Sequence, residues 1–566
     1  MDFQRLLLFG LFMFSALFLW EAWQQEQRLK NPPPPAETTL PATPADVPSA
    51  QPSPSTTTDV PGDSVTVPTT EAAVSTAPAA PELITITTDL YTVEIDPVGG
   101  VIVNMALLKQ PDSVDKSKPY RVMQRDDGRY LVAQTGLIGE GLPNHHSTYQ
   151  VISEQRELKD GEDQFQLKLA ATAASGDRVE QIWTFHRDSY VIDVGFKVQN
   201  LSGVAQTPNA YFQFTRDRQE ASKRSAMTPS AYIGPVIYND ESKFAKVKFD
   251  EMDKIAADPT RQLPFTAESN NGWVAMIEHY FVTAWALPDS NHDNRRFFAR
   301  SVGQGKYSAG MLLSLGTIAP GQSAEISVPM YAGPQEQDTL KAIAKDLNRV
   351  VDYGMFTVLA APMFWLLNFL HGLLGNWGWA IIGMTIIIRL IFFPLNAAAA
   401  RSMAKMRVVA PKMKALQEQF KDDKQQLQLK MMEMYKQEKI NPLGGCLPIL
   451  VQMPFFIALY WVLLSAAELR YAPWLGWISD LSAPDPYFIL PALYAISAFL
   501  QMKLSPTPIS DPMQARMLQL MPVMFAVLFI FFPSGLVLYW FVGNLFQIGQ
   551  QWHMNRLLER ESAAKT

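Results

Sequence analysis

The chain has 566 residues, enough for more than one domain, and a formal net charge of −6, which argues against general nucleic-acid binding. Its single cysteine, Cys446, excludes an intrachain disulfide. No H-E-x-x-H, Walker A or usable G-x-G-x-x-G pattern is present, so nothing points to a metal centre, a nucleotide site or any cofactor. His145 and His146 adjoin each other in a predicted loop and read as surface residues.

Residues 6–20, LLLFGLFMFSALFLW, form a short uncharged apolar run ending at Trp20 and followed by Glu21 and Trp23. A signal peptide would need a small-x-small cleavage site after it. None follows, so residues 1–23 read as an uncleaved signal anchor steadied by interfacial tryptophans. Residues 24–82 are rich in Pro, Thr, Ala and Ser and read as an extended disordered tether. From 83 to 335 the pattern becomes strands and turns. ITITTDLYTVEID, FQLKLAATA, VEQIWTFH and YVIDVGFKVQN alternate apolar with polar or are rich in β-branched and aromatic residues. Turns are expected at Gly99-Gly100, at 200–203 and at Pro320-Gly321. A large all-β sandwich follows, with no run long enough to span a membrane.

Residues 338–351 predict an amphipathic helix with Asp338 as its N-cap. Residues 355–374 are apolar but contain Pro362, Asn368 and His371, and the Gly375-Asn376 turn after them is very short. An interfacial helix is expected there rather than a span, so 336–375 is a connecting segment. Residues 377–395, WGWAIIGMTIIIRLIFFPL, are long and apolar enough to cross a bilayer, and their one charge is Arg389. Four more spans are expected at about 446–467, 487–502, 517–532 and 535–552, the last two as a tight hairpin around Pro533-Ser534. The tail is 553–566.

Residues 396–441 carry ten Lys/Arg against five acids, whereas 468–486 carry one basic residue, Arg470. The basic segment is therefore cytoplasmic and the β domain lies on the opposite side. Six spans then place both termini in the cytoplasm. Met406, Val409, Met413, Leu416 and Phe420, and then Leu427, Met431 and Met434, recur at helical spacing on either side of Asp422 and Asp423. That is a helical hairpin. Its methionine stripes either pack against each other or offer a deformable apolar face to partners.

A charge at a helix centre costs a few kcal/mol or more in lipid, so Arg389 either snorkels to the nearer interface or faces a polar chamber. Thr385 lies one turn away on the same face. Gln452, Asn544, Gln547 and Gln550 lie in or near other spans, where each either bonds a neighbouring helix or lines the same chamber. No acidic residue lies well inside a core span to neutralise Arg389.

IIIRLIFFPL, MAKM…PKM…DDK, NPLGGCLPILVQMPFFIALY, LSAPDPYFILP, SDPMQARM and FPSGLVLYW together resemble the YidC/Oxa/Alb family of membrane protein insertases, in its Gram-negative form, almost continuously over 355–556. The resemblance implies a polytopic α-helical membrane protein of six transmembrane helices, five forming an insertase core (376–552), plus a large all-β periplasmic sandwich domain. It implies a bacterial inner-membrane location and a hydrophilic groove open to cytoplasm and lipid. Arg389, Thr385, Gln452, Phe456, Tyr539, Trp540 and Asn544 are the implied groove residues, with Trp540 standing where many relatives carry Tyr. The hairpin, with Met406, Met413, Asp422, Asp423 and Met431, is implicated in accepting substrates. Implied partners are nascent inner-membrane proteins, membrane lipid, the Sec translocon (SecYEG, SecDF), the ribosome and the signal recognition particle receptor, with no enzymatic chemistry and no small-molecule substrate. Two rivals remain: a secondary transporter, which would show repeated architecture and paired midplane ionisable groups, and a structural chaperone of the translocon.

Overall fold

The computed structural model describes residues 82–563, apart from 113–114, 127, 219–231, 259, 290–293, 421–422, 439–446 and 505–511. The expected anchor and tether, Asp422 and Cys446 lie outside the described residues.

The first half is a sandwich of two antiparallel sheets built from β1 (Ile84–Thr87), β2 (Tyr91–Asp96), β3 (Val101–Pro111), β4 (Pro119–Asp126), β5 (Arg129–Ile138), β6 (Gln150–Val151), β7 (Gln164–Thr172), β8 (Arg178–His186), β9 (Val191–Gln199), β10 (Asn209–Asp217), β11 (Gly234–Asn239), β12 (Lys243–Lys246), β13 (Glu268–Ser269), β14 (Trp273–Glu278), β15 (Phe281–Trp285), β16 (Arg295–Gly303), β17 (Lys306–Ser314) and β18 (Ser323–Pro334). Among the described residues each sheet has nine strands, ordered β1-β2-β3-β4-β5-β10-β17-β16-β13 and β12-β11-β14-β15-β18-β9-β8-β7-β6. The expected strands are there. β7 (Gln164–Thr172) and β8 (Arg178–His186) alternate as read, sending Phe165, Leu167, Trp183 and Phe185 into the space between sheets. The turn at Gly99-Gly100 needs glycine: both have positive φ, 81° and 57°, and a Cβ on Gly99 would lie 2.0 Å from the His145 carbonyl oxygen. This packing corrects the surface reading of His145. The residue is buried, and its backbone N–H donates to the Tyr211 hydroxyl at 3.1 Å, while His146 stays exposed.

Strand β10 (Asn209–Asp217) is central and buried on both faces. Phe212 and Phe214 face the core. The opposite face carries a polar ladder: Gln213 Nε2 donates to Gln134 Oε1 at 2.9 Å, and Thr215 Oγ1 donates to the same oxygen at 2.6 Å. Burying these groups is tolerable because they bond one another. Helix α1 (Phe249–Ala257) packs on β16 (Arg295–Gly303).

The connecting helix is shorter than the sequence predicts. Helix α2 spans Gln337–Ile343 with Glu336 as N-cap, and a separate 3-10 turn covers Leu347–Val350. Asp346, in the left-handed region at φ 59°, breaks the run so that Leu347 and Val350 can turn into a small core with Trp273 and Tyr331. Asp338 does not cap; it accepts from Lys341 at 3.1 Å and from Asn368 at 2.9 Å.

Eight α-helices follow among the described residues. α3 (Thr357–Leu374) is continuous despite Pro362, and α4 is Trp377–Ile391. α5 (Phe393–Gln419) and α6 (Lys424–Gln437) form the hairpin, with Asp423 capping α6. α7 is Leu447–Ser465, α8 Ile489–Leu504, α9 Pro512–Phe529 and α10 Ser534–Ala563. Among the described residues, Thr357–Leu374 is the one helix that passes alone as long and apolar enough to cross a membrane. Residues 377–395 are not one straight span: the chain bends by 59° between Trp377–Ile391 and Phe393–Met403. Pro394, which has no N–H to continue α4, sits in the first turn of α5, so the hairpin's first helix begins before residue 396.

α3 and α4 pack together, α3 also on α7, α4 on α10, and both α9 and α10 on α8. The expected tight hairpin of the last two spans is therefore opened by α8, which lies between them. α9 and α10 approach at their joined ends, where the Phe529 and Trp540 rings are 5.9 Å apart.

The β domain is clamped to the helices by the loop after α7. Arg470 Nη2 donates to the Pro111 carbonyl at 2.9 Å, and its guanidinium stands 5.0–5.6 Å from the rings of Tyr120, Tyr280 and Phe281. Beside it, Glu468 Oε1 accepts from the Gln337 backbone N–H at 2.9 Å, while its Oε2 is buried with no hydrogen-bond partner. Burial, then the nearby acids Glu336 and Asp338, push the Glu468 carboxyl up to about 7. For an acid raised in the folded state, the neutral form is favoured by folding, so stability is fully present below the ordinary carboxylate pKa and declines as pH rises towards 7. Amide exchange in 336–356 is expected to be slower at pH 5 than at pH 8, after correction for intrinsic rates, and Glu468→Gln to flatten that difference. Equal pH dependence in the variant would remove Glu468 as the cause.

Candidate functional site

α4 starts with a side-chain cap. Asn376 accepts from the Gly378 and Trp379 N–H groups at 2.9 and 3.2 Å, and its own amide donates to the Pro473 carbonyl at 3.1 Å. Gly378 lets the helix meet the loop, since a Cβ there would lie 2.1 Å from the Trp474 ring. Pro533 and Pro484 bridge, Ser534 N–H donates to Ala483 O at 2.8 Å, and Gly535 N–H donates to Leu481 O at 2.9 Å. Asp485, 1% exposed, accepts from Tyr487 and Leu490 N–H and from Trp477 Nε1. Ala380, Ile381, Met384, Leu463 and Leu536 are fully buried beneath this layer. The β-domain end of the helix cluster is thus closed by apolar packing.

The other end is polar. Arg389 is 12 residues from Trp377, roughly 18 Å along α4, and two residues from the helix end. It is 7% exposed, so it does not snorkel free. Its Nη1 donates to Gln452 Oε1 on α7 at 3.1 Å, Gln452 Nε2 donates to Asn396 Oδ1 on α5 at 3.4 Å, and its Nε is buried without a bond. Among the described residues no carboxylate comes within ion-pair distance of it. Gln550 Nε2 donates to the Phe393 carbonyl at 3.2 Å, at the start of α5.

The other expected site residues divide. Phe456 and Trp540 meet edge-to-face at 5.1 Å, across α7 and α10. Tyr539 is buried in the helix core. Asn544 Nδ2 donates to Ser497 Oγ on α8 at 3.3 Å, so it joins two helices. Thr385 is fully buried and its hydroxyl donates to the Ile381 carbonyl at 2.7 Å. That satisfies the hydroxyl within its own helix, one turn from Arg389. In the hairpin, Met406, Met413 and Met434 are buried together with Val409, with Met431 and Tyr435 packed on them. The stripes pack on each other, and Lys412–Glu438 closes the pair at 2.7 Å. Met406 and Met413 are therefore not displayed to partners, while Leu429 and Met432 are exposed. Sequence reading missed Gly543, which abuts Arg389; a glycine inside an apolar helix gives no periodic signal.

Residues 83–366 match the family described as YidC periplasmic domain, and residues 369–561 match the family described as 60Kd inner membrane protein. The chain belongs to the YidC family. The membrane protein insertase YidC of Aromatoleum aromaticum is 47% identical over 100% of this chain and 99% of its own length. That of Nitrosomonas europaea is 46% identical, over 98% and 91% respectively. A solved structure described as active YidC insertase with its first transmembrane domain resolved overlaps 83% of this chain and 92% of its own, at 17% identity and a TM-score of 0.39. A galactose mutarotase-like protein from Lactobacillus casei overlaps 44% of this chain and 100% of its own, at 9% identity and a TM-score of 0.29. This YidC-family chain is thus an inner-membrane protein with a periplasmic domain, and the closed end of its helix cluster is the end that meets that domain.

Proposed function

We propose that this chain is a membrane protein insertase that places and helps fold inner-membrane proteins, through a polar groove bounded by α4, α7 and α10. One observation carries the reading: a buried arginine held by a glutamine and without a described carboxylate partner, at the end of the cluster opposite an apolar seal. A polar tail of a nascent protein enters from the hairpin side, and Arg389 attracts its acidic groups. Its hydrophobic segment slides along the Phe456–Trp540 face into lipid. Partitioning at ~0.8 kcal/mol per buried CH2 drives the step. The membrane potential assists an acidic tail moving outward by ~2.3 kcal/mol per charge per 100 mV. No covalent step is invoked.

Helix length supports this. α4 has 15 residues, roughly 22 Å, against a hydrocarbon core of ~30 Å. Short spans thin the bilayer around them, which shortens the path of a polar tail. The exposed face of α3, with Val358, Trp365, Phe369 and Leu373, suits lipid, and the Asn368–Asp338 bond ties that helix to the periplasmic side. We place the hairpin and both termini in the cytoplasm, and assign the hairpin the first contact with substrates, the ribosome or the signal recognition particle receptor, with the Sec translocon as a partner for larger substrates.

Reconstitution tests the reading. Proteoliposomes of the purified chain are expected to insert a small single-span substrate with a short tail, scored by protease protection, without solute flux. Flux without insertion would favour a transporter.

A further inference from the structure

We infer that Gly543 is a positioning residue for Arg389: the missing side chain on α10 is the space in which the guanidinium lies. A Cβ built on Gly543 would stand 2.5 Å from Arg389 Nη2, 3.1 Å from Nε and 3.2 Å from Cζ. All three atoms belong to the guanidinium, so the head group occupies the space a Gly543 side chain would fill. On its other side Nη1 is held by Gln452 Oε1 at 3.1 Å. The arginine head is thus gripped between a side chain of α7 and the bare backbone of α10. Because the contact is with the end of a long side chain, a methyl group on Gly543 would push the guanidinium away from Gln452 rather than prise the helices apart.

The surroundings keep α10 from moving aside. Asn544, the next residue, is bonded to Ser497 of α8, and Tyr539, one turn before Gly543, is buried in the core. Glycine inside a helix costs about 0.5–1 kcal/mol relative to alanine. Close helix packing is the usual compensation for that cost. Here the nearest three atoms to the missing Cβ all belong to one charged head group. Gly543 therefore sets where the positive charge sits and, with it, the preference for acidic tails. This inference rests on the insertase reading above.

The test compares two single-span substrates in proteoliposomes of the full chain, identical except for two Asp or two Asn residues in the short tail. Wild type is expected to insert both, the Asp tail better. If wild type inserts neither, the insertase reading fails and this inference with it. Gly543→Ala is expected to lower the Asp-to-Asn insertion ratio about tenfold while the Asn tail still inserts. In an Arg389→Lys background, where Nη2 is gone and the head is a flexible ammonium, the same change is expected to lower the ratio less than threefold. An equal fall for both tails, an unchanged ratio, or an equal cost in the lysine background would each overturn the inference in favour of plain helix packing. If Gly543→Ala alone does not accumulate, accumulation of the Arg389→Lys/Gly543→Ala chain supports the clash with the guanidinium, and failure of both chains overturns it.

Discussion

Arg389→Ala is expected to reduce insertion of an acidic-tailed, translocon-independent substrate at least tenfold, while Arg389→Lys retains most of it. The reasoning is electrostatic. A unit charge pair at ~4 Å is worth about 4 kcal/mol at an effective dielectric near 20, and water in a groove lowers this further. About 1.4 kcal/mol suffices for a factor of ten. Arg389 forms no described ion pair, so its charge is available to a visiting carboxylate. Lysine keeps the charge but loses the fork that reaches Gln452, so partial loss is expected there. Complementation of a depleted strain, with pulse-chase and protease protection of the substrate, measures the effect. Alanine inserting as well as lysine would end the electrostatic role. Residual activity in alanine for a substrate that also uses the translocon would not bear on it.

Trp285→Ala is expected to destabilise the periplasmic domain by about 3–5 kcal/mol, the usual range for an aromatic removed from a packed core. Trp285 lies on β15 (Phe281–Trp285), between β14 and β18, and is fully buried. Phe212 and Phe214 of the opposite sheet meet its ring at 5.3 Å each, so the residue joins the two sheets. Its indole N–H has no hydrogen-bond partner, so the cost is cavity and lost contact rather than a broken bond. For a domain of this size the loss corresponds to a fall of roughly 6–20 °C in Tm. Calorimetry of the full chain in detergent would show it as a shift confined to one transition. Trp285→Phe fills most of the space and is expected to cost less than half as much. A shift under 2 °C for alanine would show that the sheets close without this residue.

Strands whose outer face meets solvent were legible because alternation survives folding: β7, β8 and β9 stand where the pattern put them. β10 hid half its logic. Its two faces are both buried, so Gln213 and Thr215 look like exposed positions until the Gln134 ladder is seen. His145 misled for the same reason, a loop residue buried by a turn distant in sequence. In the membrane half, hydropathy located α7 and α8 within a few residues and the start of α10, which continues as helix to Ala563, past the expected end at 552. It missed the 59° bend at Phe392, where hydropathy continues but Pro394 has no N–H to give the ladder.

For the candidate site, sequence singled out Arg389 by its cost in lipid and Gln452 by its polarity, and the structure bonds the two. Thr385 comes from helical spacing and from the family resemblance. Spacing fixes a face but not a rotamer, and the hydroxyl turns back to Ile381. The hairpin stripes were correctly periodic, yet periodicity cannot say whether an apolar stripe meets its own partner helix or another molecule; here it meets its own.

By itself the sequence determined the class of this protein: a β domain on one side of a membrane, a bundle of apolar helices, and one charge that lipid would not accept. Those follow from composition and period, which depend only on nearby residues and the solvent each element must face. Tertiary structure alone decided how the helices are ordered, that α8 separates α9 from α10, that the loop after α7 clamps the β domain, and that Arg389 lies in the gap left by Gly543. Each of these depends on residues far apart in the chain meeting at van der Waals distance, and no local pattern encodes such a meeting.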